Sequence, residues 1–463
     1  MTTNPPTVEE RPRRPTKAVW WGLGLAVVLG VGLRWYALGA SRLVYDEAFT
    51  ANVGRKPLGD LFVYLREHDL HPPLDYLLRA PSARAGASEW ALRAPSALFG
   101  SAALVLFAWW MRTKGRLGVI ATFVMALSAF QIFYTREARM YALLLLLGVG
   151  MLMVAERWLR NPTPGVAIGF GALVLVASLD HTTGVVYSIA WLGLAGLRRD
   201  RAAWWWRGSI VGALSMWLAL WGWTLPSQMQ EGTKNWIPFT TFGGVTDNLG
   251  ELFSASNFAS LAVTAVLVVG VTVLVRRKAS ELPLVIWGFI VPFSLAALLG
   301  VRFHFFVAHS LALCSVGAVL AVAAAFDAAF ERSERIGIVA IAVAVPFFVV
   351  GMNLALFTDT HLENAIVVAG RHARAGDAVA AFTAHERPLI DWYVGVQDAR
   401  GSRPVLIPGL AVVARQVGTE ARPVRRVWVA ERTMHELRVP AGFSSCAPPI
   451  EGDGYRVLCL QRD

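Results

Sequence analysis

Long apolar runs separated by short charged clusters set the rhythm of this chain. About eleven runs can be drawn, near 18–38, 91–111, 117–134, 140–157, 164–180, 184–197, 207–225, 256–275, 282–300, 303–325 and 336–357. Most approach the roughly 17–22 residues an α-helix needs to cross a hydrocarbon core. The charged clusters alternate in sign preference from one side to the other. Arg11, Arg13, Arg14 and Lys17 precede the first run, and Arg112, Lys114 and Arg116 follow the second. Arg157 and Arg160, then Arg198, Arg199, Arg201 and Arg207, then Arg276, Arg277 and Lys278, then Arg332 and Arg335 fall on the same side. The positive-inside rule therefore predicts a multi-pass protein of the cytoplasmic membrane, N-terminus inside and C-terminus outside. The expected fold class is an α-helical polytopic membrane protein of about eleven transmembrane helices with a small C-terminal extracytoplasmic α/β domain.

The stretches between runs divide the chain further. Residues 1–17, rich in Pro, Thr and Arg, read as a disordered cytoplasmic tail. The first run is long and lacks a small-residue cleavage site, which predicts a retained helix. Residues 18–357 form the expected membrane domain, with interfacial helices in an outer loop at 39–90. From 358 to 463 the character changes: Asp, Glu, Arg and Pro rise, and runs such as Val405-Leu406-Ile407 and Val427-Trp428-Val429-Ala430 predict strands among one or two helices.

Composition narrows the class. Of the 463 residues, 55% are hydrophobic and only 16% charged, and mean hydropathy is +0.49. Many of the 18 Trp lie near run ends, where aromatic belts sit. A net charge of +11 would suit nucleic acid, but the basic residues sit between apolar runs, where they act as topology signals and touch anionic lipid. No aromatic-basic groove motif accompanies them, so no nucleic-acid partner is expected. Of the three cysteines, Cys314 falls inside a run, whereas Cys446 and Cys459 flank Pro-Pro and Gly-Asp-Gly turns in the outer tail and suit a disulfide across a hairpin.

Nearly all the unusual chemistry falls on the outer side. Tyr45-Asp46-Glu47 follows the first run; adjacent carboxylates resist joint burial, which suits one ionised group and one with a raised pKa. His71-Pro72-Pro73 places an imidazole at a rigid corner that opens a helix to its right. Arg136-Glu137-Ala138-Arg139-Met140-Tyr141 joins two apolar runs with almost no loop, and the two arginines, three apart, are expected on one helix face. Charges so close to hydrocarbon are costly unless they face a polar cavity, which marks them as site candidates. His181-Thr182-Thr183 and Arg302 also lie at outer boundaries.

The Asp-Glu of the first outer loop, the following HPPL-x-Y, the Y-x-x-E-A-R-M-Y between the third and fourth runs, and Leu179-Asp-His-Thr-Thr-Gly-Val185 together resemble the GT-C membrane glycosyltransferases that use polyprenyl-phosphate sugars. The likeness is to bacterial relatives of the protein O-mannosyltransferases and of the lipid A aminoarabinose transferase. It spans about 18–325 and extends weakly to 371–379 and Trp392-Tyr393. The chain departs from the family pattern at Thr135-Arg136, at Thr182 after His181, and at Leu70 before the Pro-Pro corner's basic residue.

The resemblance implies an inverting transfer of a hexosyl or pentosyl group from a polyprenyl-phosphate donor to an acceptor hydroxyl. The acceptor class, lipid, polysaccharide or protein, is not encoded by any motif. Asp46 is the expected base, and Glu47 would orient hydroxyls. Arg139, helped by Arg136, His71 and Arg302, would hold the donor phosphate, with Glu137, Tyr141 and His181 lining the substrate site. Asp46, Glu47 and Asp69 offer hard oxygen ligands for a divalent cation such as Mg²⁺, Mn²⁺ or Ca²⁺. A transporter of lipid-linked sugar, or a cell-envelope scaffold, is the alternative class. A transporter would place ionisable residues or breaks at the midplane of several runs in repeated halves, and neither pattern is present.

Overall fold

Apolar periodicity turns into helix almost wherever it was read. The computed structural model describes residues 15–86, 88–230, 237–254, 260–356, 361–381, 387–397, 403–406, 413–416, 424, 426–432, 439 and 442–462. Most of the tail 1–17 lies outside them. The membrane helices are α1 (Lys17–Trp35), α5 (Glu89–Met111), α6 (Gly115–Leu127), α8 (Tyr141–Arg160), α9 (Pro164–Asp180), α10 (Thr183–Ala190), α11 (Arg201–Leu220), α14 (Ser260–Arg277), α15 (Leu282–Val285), α16 (Val291–Gly300), α17 (Ala312–Arg332) and α18 (Glu334–Leu356). Among the described residues, seven helical segments are long and apolar enough to cross a membrane. Gly115–Leu127, Pro164–Asp180 and Thr183–Leu197 are apolar but shorter.

Two runs are interrupted in ways the apolar pattern hid. The 117–134 run breaks at Ser128, whose hydroxyl caps α7 (Ala129–Tyr134) at Gln131 N and donates to the Leu252 carbonyl. The run drawn from 303 becomes helix only at 312, after a turn and a short 3₁₀ segment, Ala308–Leu311. In the apolar window of α17, 83% of residues are buried, against 11% in α18, so α17 is the central post and α18 turns most of its surface outward. Gly270 lets α14 lie against α17: a Cβ there would collide with the Ala321 carbonyl. At the other end, Lys114 meets Glu156 and Glu281, while Arg116 and Arg277 share Asp327, tying the α5–α6 turn to α8, α15 and α17.

The long outer loop forms α2 (Tyr45–Arg55), α3 (Leu58–His68) and α4 (Leu74–Arg84). Pro73 precedes α4 because a proline cannot continue a helix to its left yet starts one readily. The second outer stretch forms α12 (Leu225–Gln230) and α13 (Phe242–Ser254). Beyond α18 come α19 (His361–His372), β1 (Ala378–Ala381), α20 (Arg387–Gln397), β2 (Arg403–Leu406), β3 (Val413–Gln416), β4 (Arg426–Arg432), β5 (Phe443–Gly452) and β6 (Tyr455–Arg462). The strands form one sheet in the order β2-β3-β1-β4-β6-β5, with β1 and β4 parallel and the other neighbours antiparallel. The core of this unit does not end at its own boundary. Leu362, Ile366, Val379, Trp392, Tyr393 and Trp428 share one buried cluster with Leu43, Ala48, Ala51 and Ala138 of the helical domain.

Cys446 and Cys459 are bonded across the β5–β6 hairpin, with Cα atoms 5.3 Å apart. A crosslink over a sequence separation of 13 removes loop entropy from the unfolded chain worth roughly 3 kcal/mol. Cys446→Ser/Cys459→Ser is expected to destabilise the sheet by about 2–3 kcal/mol, read as faster amide exchange in β4 and β6. Exchange at the wild-type rate would mean that the hairpin holds without the bond.

Candidate active site

The face that carries α2, α3 and α4 is organised by two buried arginines, Arg93 and Arg79. Arg93, in the first turn of α5, sends its Nε to Glu47 Oε1 (2.7 Å) and its Nη2 to Glu47 Oε2 (2.6 Å), and also binds the carbonyls of Leu38, Ser41 and Arg42. Glu47 further accepts the Ala138 N–H (2.7 Å) and the Val44 N–H (3.0 Å). Burial alone would raise its pKa, but Arg93 and these N–H donors hold the carboxyl below the usual carboxylate range. Glu47 is thus an internal tie joining α2, α5 and the 136–139 turn. Its carboxylate oxygens accept from Arg93 and from two backbone N–H groups.

Arg79 does the same work one turn away. Its Nε binds both oxygens of Asp75 (3.0 and 2.9 Å), and its terminal nitrogens reach Leu92 O, Ser96 Oγ and the Arg139 carbonyl (2.6 Å). The i,i+4 spacing of Asp75 and Arg79 was a readable signal, as was a lone arginine at position 93 in an apolar run.

Residues 135–140 form a turn and not a helix, so Arg136 and Arg139 do not share a helix face. Their backbone is folded back by Arg139 N to Glu137 O (2.8 Å), and the two side chains diverge. Arg136 donates to the carbonyls of Leu33 and Tyr36 at the end of α1. Its guanidinium serves helix carbonyls. Arg139 instead turns toward α2, with Nη1 on Thr50 Oγ1 (2.9 Å) while Thr50 donates to the Asp46 carbonyl (2.9 Å). It is 4% exposed, and its Nε has no hydrogen-bond partner among the described residues.

The structure brings Asp46 to this guanidinium. Burial would lower the Arg139 pKa, but the nearby negative groups, Asp46 foremost, hold it above its ordinary value. Asp46 itself is exposed on the first turn of α2. Asp69 is a further neighbour of Arg139: burial raises its carboxyl, Arg139 opposes the rise, and the Tyr76 hydroxyl donates to it. Glu137 is half-buried and lines a cleft of about 360 Å³ with Ser41, Arg93, Phe133 and Arg136. Burial, then the charges of Glu47 and Asp46, push its carboxyl up to about 8 against the pull of Arg139 and Arg93.

A wall of rings faces Arg139 on the other side. His71 and His181 lie 4.5 Å apart by ring centroid, Tyr141 is 6.1 Å from His181 and 5.3 Å from His309, and Tyr134 packs on Tyr141 at 4.9 Å. Thr182 donates to the Leu70 carbonyl (2.6 Å), which binds this wall to the Pro-Pro corner. His181 Nδ1 accepts the Thr183 backbone N–H (3.0 Å), so a neutral ring carries its proton on Nε2, a buried donor with no protein partner among the described residues. Burial and the neighbouring His71, His309 and Arg139 hold its pKa well below the ordinary histidine value, so the ring is neutral. His309 also belongs to this wall. Arg302 does not: it is exposed in the turn after α16, and no described hydrogen bond or ion pair joins it to the cluster.

A cation shared by Asp46, Glu47 and Asp69 does not fit this arrangement. Glu47 has committed both oxygens to Arg93 and backbone N–H groups, and among the described residues no three His, Cys, Asp or Glu side chains are placed to hold a metal ion.

No family model and no curated protein matches the sequence. The three-dimensional arrangement does have counterparts. ArnT from Cupriavidus metallidurans in the apo state aligns at TM-score 0.59 and 12% identity, covering 96% of this chain and 98% of that one. The same protein bound to undecaprenyl phosphate aligns at TM-score 0.54 and 11% identity over the same shares. This chain therefore shares the fold of ArnT. At such low identity the likeness establishes architecture, and near-complete coverage of both chains extends it to the C-terminal sheet.

Proposed function

We propose that the protein is an inverting glycosyltransferase that moves a sugar from a polyprenyl-phosphate donor to an acceptor hydroxyl at the outer face of the cytoplasmic membrane. The observation that carries this reading is that Asp46 and Arg139, residues of distant segments, are electrostatic neighbours linked through Thr50, with His and Tyr rings packed beside Arg139. The resting geometry suits a single displacement. An acceptor oxygen attacks the anomeric carbon and passes its proton to the Asp46 carboxylate as the bond from that carbon to the phosphate oxygen breaks. The departing polyprenyl phosphate keeps the electron pair, and its growing charge is met by Arg139 and by N–H donors such as His181 Nε2. His71 and Tyr141 complete the donor pocket, with His309 beside them. The shared fold with a protein crystallised on undecaprenyl phosphate supports a lipid-borne donor.

The deciding experiment is a transfer assay on purified protein in lipid, with a panel of polyprenyl-phosphate hexoses and pentoses and lipid, polysaccharide and peptide acceptors. Transfer by the wild type that is lost in Asp46→Ala supports the reading. Wild-type transfer by Asp46→Ala would take the role of base from Asp46, and absence of transfer by the wild type with every donor and acceptor of the panel would favour the transporter or scaffold class.

Glu137 gives a pH signature. Below about pH 8 its carboxyl is neutral and leaves Asp46 as the proton acceptor; above it, a further negative charge appears beside Asp46 and Glu47 and opposes donor phosphate. Transfer is expected to fall as pH rises through about 8, and Glu137→Gln to remove that limb while keeping the rate at neutral pH. A limb that persists in Glu137→Gln would assign the titration to another group.

A further inference from the structure

The catalytic reading leaves the C-terminal unit without a task, yet that unit is docked on the helix that carries Asp46. Tyr393 of α20 is 5% exposed, and its hydroxyl accepts the backbone N–H of Leu43 at 2.6 Å while facing Glu89 Oε1 at 3.3 Å, a distance over which it donates. The same Glu89 oxygen takes Arg42 Nη1 at 3.0 Å. Further along α2, Asn52 Nδ2 donates to the Pro388 carbonyl at 2.7 Å, and the Arg55 guanidinium lies 3.7 Å over the Trp392 ring.

We propose that Tyr393 is a positioning residue for transfer: its hydroxyl sets the entry to α2, and thereby the place of Asp46 opposite Arg139. The proposal rests on the reading of Asp46 as the base. Leu43 is fully buried and stands just before Val44, the residue that caps α2. The N–H groups at a helix entry have no intrahelical acceptor. Glu47 satisfies that of Val44 from within the helix, and Tyr393 satisfies that of Leu43 from the C-terminal unit. The segment 41–44 is thus held between α5, through Arg93 and Glu89, and α20, through one phenol oxygen. Loss of that oxygen leaves a buried N–H without an acceptor, and the segment then gains by shifting toward a new partner. Asp46 lies at the second position of α2 and moves with it, while Arg139 stays fixed by Arg79 through its carbonyl. A misplacement of about 1 Å between reacting groups is enough to cost on the order of 10²-fold in rate.

Tyr393→Phe keeps the ring and its packing and removes only the hydroxyl. In the full-length protein in lipid, kcat is expected to fall at least about tenfold with the donor KM within about threefold and the melting temperature retained. Amide exchange over 41–48 is expected to quicken in the same variant. Asp46→Asn is measured alongside. If Asp46→Asn is inactive and Tyr393→Phe turns over at the wild-type rate, the positioning proposal is overturned and the function reading stands. If Asp46→Asn is as active as wild type, the reading of Asp46 as the base falls first. A parallel loss of kcat, KM and melting temperature in Tyr393→Phe would mean general loosening and would also overturn the proposal. Should that variant not be recovered folded, Asn52→Ala and Glu89→Gln carry the test: wild-type kcat in both overturns it, and a drop of about threefold or more in either, at unchanged KM, supports it.

Discussion

Asp46→Asn is expected to lower kcat by about 10²–10⁴-fold, the usual worth of a positioned general base, with the donor KM little changed. The substitution keeps size and the exposed place on the first turn of α2, so no packing is lost. What it removes is the proton acceptor and the leading negative charge on Arg139. The residual rate should lose dependence on acceptor hydroxyl acidity less than it loses magnitude, because Arg139 still stabilises the leaving phosphate. Steady-state transfer with a fixed donor and two acceptors of different acidity checks both points. A kcat within about threefold of wild type would remove Asp46 from the chemistry.

Arg93→Met is expected to be the most destabilising single change on the outer face, by about 3–5 kcal/mol, because it leaves a buried carboxylate without its counter-ion. Glu47 is 1% exposed, so without Arg93 it must take up a proton or drag α2 away from α5. Its pKa in the folded protein is held below the ordinary value, so the pair's contribution is present at neutral pH and is lost as pH falls through the folded-state pKa. Arg93→Met/Glu47→Gln should recover much of the loss, since neither charge is then stranded. Chemical denaturation in detergent, run as a double-mutant cycle, reads the coupling between the two. Additive single effects would show that the ion pair does not link α2 to α5.

Legibility in the sequence followed the length scale of each signal. The apolar runs became helices because a hydrocarbon-length stretch has few other ways to satisfy its backbone. The break at Ser128 and the delayed start of α17 were hidden because both lie inside runs that stay apolar across the change of direction. At the site, Asp46, His71, Glu137, Arg139 and His181 stood out because charge and imidazole next to hydrocarbon are costly without a polar cavity. The contacts of Arg136 and Glu47 were not legible for one reason: the same residue types also satisfy buried carbonyls and guanidinium groups, and only neighbours in space distinguish the uses. The ties made by Arg93 and by the Tyr393 hydroxyl were not legible because their partners lie on other elements, 350 residues away in sequence for Tyr393 and Leu43.

What the amino-acid order determined by itself is the membrane-embedded helical class and the concentration of reactive side chains between particular spans, since hydropathy and the cost of bare charge act locally along the chain. Tertiary structure alone decided which carboxylate is free and which is consumed. Glu47 and Asp46 are neighbours in sequence, yet one faces Arg93 and two backbone N–H groups in the interior while the other is an electrostatic neighbour of Arg139. A helix turns each successive residue by about 100°, so adjacent positions meet different surroundings, and those surroundings are supplied by α5, the 136–139 turn and the C-terminal unit.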